Sequence, residues 1–127
     1  MTYLWVALGG ALGSVARYAC SGIAVRWLGA GFPYGTLFVN VAGSFAIGLL
    51  AALASADSKP IVIGDTRAFL MIGVLGGFTT FSSFSLETLN LARSGQLAAA
   101  GWNAAASLVL CLVGVWLGYL AGGAFNR

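Results

Sequence analysis

The sequence predicts an all-α membrane protein of four transmembrane helices, the third broken near the bilayer midplane, and three observations predict it. Hydrophobic residues make up 60% of the 127-residue chain and charged residues only 7%, against about 25% charged in a typical soluble domain. Four apolar stretches, at 3–28, 35–55, 67–92 and 97–124, each reach the roughly 20 residues that a helix needs to cross hydrocarbon. Short polar or turn-rich joints separate them and leave nothing for a soluble unit, so 1–127 reads as one transmembrane domain.

The first stretch has no positively charged leader and outruns the apolar core of a secretion signal, so it reads as a retained helix. Its Gly9 and Gly13 fall four residues apart. Lipid offers little hydrophobic force between helices, so association relies on close backbone approach at small residues, and these glycines read as packing sites. Arg17, one turn further, either snorkels to the interface or adds positive potential at a pore mouth. The joint Gly29-Ala30-Gly31-Phe32-Pro33 ends this span.

In the second stretch Thr36, Asn40 and Ser44 recur every fourth residue and form one polar stripe. An unpaired amide at that depth costs several kcal/mol, so Asn40 either bonds across helices or faces a water-filled path. The joint after it holds Ala56-Asp57-Ser58-Lys59-Pro60, with Asp65 and Thr66 beyond.

The third stretch sets Gly76-Gly77 and five hydroxyl residues (Thr79, Thr80, Ser82, Ser83 and Ser85) in mid-span. Each glycine weakens a helix by about 1 kcal/mol relative to alanine, and a broken membrane helix persists only where its freed backbone lines a cavity or binds something. A break over Gly76 to Thr80 is expected, with bare carbonyls of the kind that coordinate cations in transporters. Phe81 and Phe84 share one helical face beyond it. An aromatic ring has a positive edge, so rings turned edge-on solvate a small anion without offering a proton. After the joint Arg93-Ser94-Gly95-Gln96, the fourth stretch carries a weaker polar stripe, Asn103, Ser107 and Cys111, and a packing stripe, Gly114, Gly118 and Gly122.

Charge excludes several functions. The six basic residues stand singly and form no cluster of the kind that marks a nucleic-acid face. The chain has no histidine, and its two cysteines, Cys20 and Cys111, lie in apolar spans without metal-ligand spacing, so they read as small packing residues. No nucleophile–base pair or phosphate loop suggests an enzyme. Exporters of organic cations need a carboxylate well inside the bundle, yet the only acidic residue in a span is Glu87, towards one end of the third. Neutral donors and ring edges instead favour an anion. Lys59, Arg67 and Arg127 fall on one side of an even number of spans, against Arg26 and Arg93 with the deeper Arg17 on the other. So small a bias does not fix orientation by the positive-inside rule, which leaves open an antiparallel dimer of oppositely inserted copies. No internal repeat is evident, so any inverted symmetry has to come from a second chain.

The run Gly76-Gly77-Phe78-Thr79-Thr80-Phe81-Ser82-Ser83-Phe84-Ser85, followed by Glu87, resembles the signature of the Fluc, or CrcB, family of fluoride channels. So do Gly35-Thr36-Leu37-Phe38-Val39-Asn40 and the stretch from Gly9-Gly10 through Gly13 to Arg17, and the likeness covers nearly the whole chain. The resemblance implies a dual-topology antiparallel homodimer in the cell (inner) membrane, passing fluoride passively and selectively over chloride. It implies a structural sodium ion at the dimer centre, held by the backbone carbonyls of Gly76 and Thr79. It implies a fluoride pathway of Asn40, Phe81, Phe84, Thr80, Ser82, Ser83 and Ser107, with Thr36 and Arg17. Where many relatives carry a further serine on the fourth helix, this chain has Cys111. Two other classes compete: a small multidrug-type transporter, which predicts a midplane carboxylate, and a non-conducting assembly subunit, in which the polar stripes are interhelical glue.

Overall fold

The computed structural model describes residues 1–55 and 60–127. The expected joint over Ala56, Asp57, Ser58 and Lys59 lies outside the described residues. The described chain is helical with short connections. Helix α1 runs Thr2–Leu28 and α2 Tyr34–Leu53. The third helical stretch comprises α3 (Gly64–Arg67), a π-helical segment (Ala68–Val74), α4 (Leu75–Phe78) and α5 (Phe81–Arg93). Helix α6 runs Leu97–Phe125.

The connections follow from local chemistry. Helix α1 ends at Gly29, whose φ of 81° is a left-handed conformation that glycine adopts without steric cost. Pro33 then precedes the first turn of α2, where its missing N–H would have had no helical partner. Between α5 and α6, Gly95 has φ 82° and donates to the Ala92 carbonyl at 3.1 Å, while Gln96 donates to that of Leu91 at 2.9 Å. These are the paired bonds of a Schellman motif.

Two helix pairs build the bundle. Helix α2 packs chiefly on α6, and α1 chiefly on the π-helical segment and α4. Glycines set both contacts. A Cβ on Gly9 would collide with the Phe69 carbonyl oxygen, and one on Gly13 with that of Val74. Opposite them, a Cβ on Gly73 would lie 2.9 Å from the Gly9 Cα. On the other pair, a Cβ on Gly118 would strike the Phe45 carbonyl, and one on Gly48 that of Val115. The glycine stripes are therefore backbone-to-backbone seams.

The third stretch changes partner along its length. Its first part lies against α1, whereas α5 leans on α6. The two residues between, Thr79 (φ −87°, ψ 157°) and Thr80 (φ −154°, ψ 111°), are extended. Gly76 and Gly77 themselves stay helical within α4, so the extended stretch is narrower than the sequence suggests and lies on the threonines.

Thr2 Oγ1 donates to Asp65 Oδ1 at 3.0 Å, and Asn126 Nδ2 to the Ala52 carbonyl at 3.1 Å, so the start of α1 meets α3 and the end of α6 meets the end of α2. Among the described residues, Tyr34–Leu53, Gly64–Arg93 and Leu97–Phe125 are long and apolar enough to cross a membrane. Helix α1 has the length, but Arg17 and Arg26 among glycines and serines dilute its apolar character. Large apolar side chains such as Leu12, Ile72, Leu108 and Trp116 cover the outside, each at least 59% exposed. Tyr3 sits exposed at one end and Trp27 and Trp102 towards the other, as interfacial aromatic belts require.

Candidate functional site

Interrupting a helix frees four backbone donors and four acceptors, and the side chains around Thr79 and Thr80 meet them selectively. Asn40 projects from α2 and takes both backbone groups of Thr80. Its Nδ2 donates to the Thr80 carbonyl at 3.0 Å, and the Thr80 N–H donates to its Oδ1 at 2.7 Å. The amide thus pairs with Thr80 as a neighbouring strand would, and one Nδ2 hydrogen has no partner among the described residues. Because the Thr80 N–H is diverted to Asn40, the Gly76 carbonyl loses its helical donor.

On the other side of the bundle, Arg17 Nε reaches the Gly77 carbonyl at 3.0 Å, a cation placed at the negative end of a helix. The Thr79 N–H and Oγ1 both return to the Leu75 carbonyl, at 3.0 and 2.9 Å. Among the described residues, no donor meets the carbonyls of Gly76 or Thr79. Arg17→Met is expected to lower stability by up to about 1–3 kcal/mol, because it leaves a part-buried acceptor unsatisfied. Denaturation in detergent against Arg26→Met, at an exposed arginine, checks it.

Helix α5 begins with its own cap. The Ser83 N–H donates to Thr80 Oγ1 at 3.2 Å, and that hydroxyl donates to Ser83 Oγ at 3.1 Å and lies 3.3 Å from Ser82 Oγ. Three hydroxyls therefore cluster at the positive end of the α5 dipole. Next to them the Phe81 and Phe84 rings lie 5.4 Å apart between centroids, tilted by 50°, and Phe81 is 78% exposed.

These elements surround a cavity of about 570 Å³. Of the residues expected at the site, Asn40, Gly76, Thr79, Thr80, Phe81, Phe84 and Ser107 line it, together with Ser44 and Cys111. No charged side chain is among its walls. Ser107 is 8% exposed and its Oγ has no partner among the described residues. Thr36, Arg17, Ser82 and Ser83 stand away from these walls. Thr36 is buried and donates instead to Glu87 Oε1 at 2.7 Å, and Glu87 borders a second cavity of about 400 Å³ with Asn90, Ser94 and Gln96.

Sequence reasoning missed two supports. Thr88 donates to the Phe84 carbonyl at 2.7 Å and accepts from Asn103 Nδ2 at 2.9 Å, tying α5 to α6 through a side chain only 1% exposed. The spacing of Thr88 four residues after Phe84 is the signal for such back-bonding. The Arg17–Gly77 bond has no such signal, because every residue carries a carbonyl.

An apolar-coated helical bundle, with a largely apolar, uncharged cavity that carries a few polar groups beside two extended residues, defines a multi-pass membrane protein built around a site for something small. The family model described as "CrcB-like protein, Camphor Resistance (CrcB)" matches residues 4–119. The chain is 57% identical over 124 residues to a protein of Opitutus terrae named fluoride-specific ion channel FluC, covering 98% of this chain and 94% of that one. Identity is 52% to the protein of the same name from Rhodospirillum rubrum, over 100% and 98% of the two chains. It is also 52% to one from Thermus thermophilus, over 96% and 95%. The chain belongs to the CrcB-like family.

Proposed function

We propose that this chain forms a fluoride-selective channel that conducts fluoride passively across the cell (inner) membrane and so lowers its cytoplasmic concentration. The carrying observation is full-length similarity, at 52–57% identity, to proteins named fluoride-specific ion channels. The cavity supports it chemically. Fluoride is small and strongly hydrated, so a path must replace its water yet let it leave. At its wall the uncommitted Asn40 hydrogen, the hydroxyls of Thr80 and Ser107, and the ring edges of Phe81 and Phe84 do this without a charged ligand, and the Ser82 and Ser83 hydroxyls lie beside it, against that of Thr80. Thr36 and Arg17 act from outside the cavity, Arg17 by holding α4 and adding positive potential.

The working unit in this reading is an antiparallel homodimer in which all four helical stretches, α1 included, cross the bilayer and the extended Thr79–Thr80 pair lies near its midplane. Near-even charge supports it: among the described residues, Arg67 and Arg127 sit towards one end and Arg26 and Arg93 towards the other. The donor set fits a sodium ion, because the carbonyls of Gly76 and Thr79 lack donors and stand at a helix C-terminal end, the arrangement that coordinates sodium in transporters. Those two carbonyls, with the same pair from a second copy, would hold it. When bound, the ion supplies a fixed positive charge between the interrupted helices.

Purified protein in liposomes loaded with potassium fluoride, followed with a fluoride electrode, tests this. Rapid release of fluoride and retention of chloride are expected, and fluoride that stays trapped overturns the proposal. Replacing sodium with N-methylglucamine on both sides is expected to lower flux; unchanged flux removes the sodium assignment and leaves the channel standing.

A further inference from the structure

We propose that Gly43 is a positioning residue for the cation site: it leaves room for the Thr79 methyl, and so fixes the threonine whose carbonyl would hold the ion. The packing half of this statement rests on geometry alone, and the cation half rests on the reading above. Gly43 is buried on α2, three residues after Asn40 and on the same helical face, and both line the larger cavity together with Thr79 and Thr80. A Cβ on Gly43 would overlap the Thr79 Cγ2. The next atoms it would meet, Phe78 Cδ2 at 3.6 Å and Thr79 Cβ at 3.7 Å, lie at ordinary contact distance. The conflict is with that one methyl group.

The methyl is not free to step aside. Thr79 Oγ1 donates to the Leu75 carbonyl at 2.9 Å, beside the Thr79 N–H at 3.0 Å. A β-branched side chain carries both branches on one stiff, staggered χ1. Once the hydroxyl is tied to Leu75 the methyl has one place to go, and that place is open because residue 43 has no side chain. Helix α2 therefore holds both extended residues: Asn40 takes the backbone of Thr80, and Gly43 seats the side chain of Thr79. Binding groups keep their places to about 0.5 Å when packing and hydrogen bonds lock the rotamers behind them. Thr79 has both locks, and Gly43 is the packing one. With alanine at 43, Thr79 either turns about χ1 and takes its hydroxyl off Leu75, or moves its backbone away from α2. Serine at 79 keeps the hydroxyl and lacks the methyl, so Thr79→Ser should undo the damage done by Gly43→Ala.

The purified full chain is melted in detergent, once in sodium chloride and once in N-methylglucamine chloride. A ligand that binds only the folded state raises the melting temperature, so the unsubstituted protein is expected to melt higher in sodium. Gly43→Ala is expected to lose that increment, and Gly43→Ala combined with Thr79→Ser to regain most of it. A glycine that merely packs would lower melting equally in both salts and leave the increment intact, which overturns the proposal. So does a double variant that still ignores sodium. Should Gly43→Ala fail to fold, the double variant decides by the same increment. If the unsubstituted protein melts alike in both salts, the sodium assignment falls and fluoride efflux from liposomes decides the pairing of Gly43 with Thr79. Flux lost in Gly43→Ala and recovered in the double variant upholds that pairing; any other pattern ends it.

Discussion

Asn40→Asp is expected to abolish most of the fluoride flux while leaving the protein folded, and Asn40→Ala to damage both. The difference lies in the two bonds that Asn40 makes to Thr80. Aspartate keeps an oxygen for the Thr80 N–H, so that bond survives. Protonated, it also has one hydrogen for the Thr80 carbonyl, so the bond that is 3.0 Å long in the unsubstituted protein survives too, but no donor is left over for an ion. If ionised, it also sets a negative charge on the wall of a cavity that has none. Even a screened repulsion of about 3 kcal/mol at the barrier slows passage about 100-fold. Alanine removes both partners and leaves a part-buried N–H and C=O unmet, at up to about 1–3 kcal/mol each. The cheapest repair is for the Thr80 N–H to return to the Gly76 carbonyl, which straightens the helix and consumes an acceptor assigned to sodium. The aspartate variant should therefore melt near the unsubstituted protein and conduct poorly, and the alanine variant should melt early and lose its sodium dependence. An aspartate channel with ordinary flux would show that the Asn40 donor is not needed.

Asn40 also shows how far the sequence carries and where it stops. That it is costly and must be satisfied is legible from its depth in an apolar span; that its partner is the Thr80 backbone is not, because a backbone group has no signature. The same holds for Arg17, for which the sequence left two readings open and whose Nε bonds the Gly77 carbonyl 60 residues away. The positions of the four helical stretches were legible within three residues, since long apolar runs with turn residues between them admit few alternatives. The sequence centres its expected break on the glycine pair. Gly76 and Gly77 remain helical, and the extended residues are the threonines that Asn40 and the Ser83 cap hold out of the helix. Nothing in Ala68–Val74 announces a π-helix; the segment includes Gly73, which packs against Gly9. Thr36 was grouped with Asn40 by its spacing, yet one turn along α2 suffices to give it a different partner, Glu87.

Gly13→Leu is expected to prevent assembly altogether, whereas Gly22→Leu on the same helix should be tolerated. A Cβ at Gly13 would overlap the Val74 carbonyl oxygen and lie 2.9 Å from the Phe78 nitrogen. Both are backbone atoms and cannot swing aside, so α1 must move away from the third stretch as a body. Overpacking in a core costs about 1–3 kcal/mol where side chains can adjust, and here they cannot. The displacement also draws Arg17, one turn further along, off the Gly77 carbonyl, and so uncaps the segment that precedes Thr79. In lipid no hydrophobic force pulls the helices back together, because a leucine side chain is as content against acyl chains as against α4. At Gly22 a Cβ meets nothing within 4 Å, and leucine there adds only helix propensity and lipid-facing surface. Thermal melting of the two detergent-solubilised variants separates these outcomes. Equal melting temperatures would mean that the α1 seam does not hold the bundle, and the account of Arg17 as its companion would fall with it.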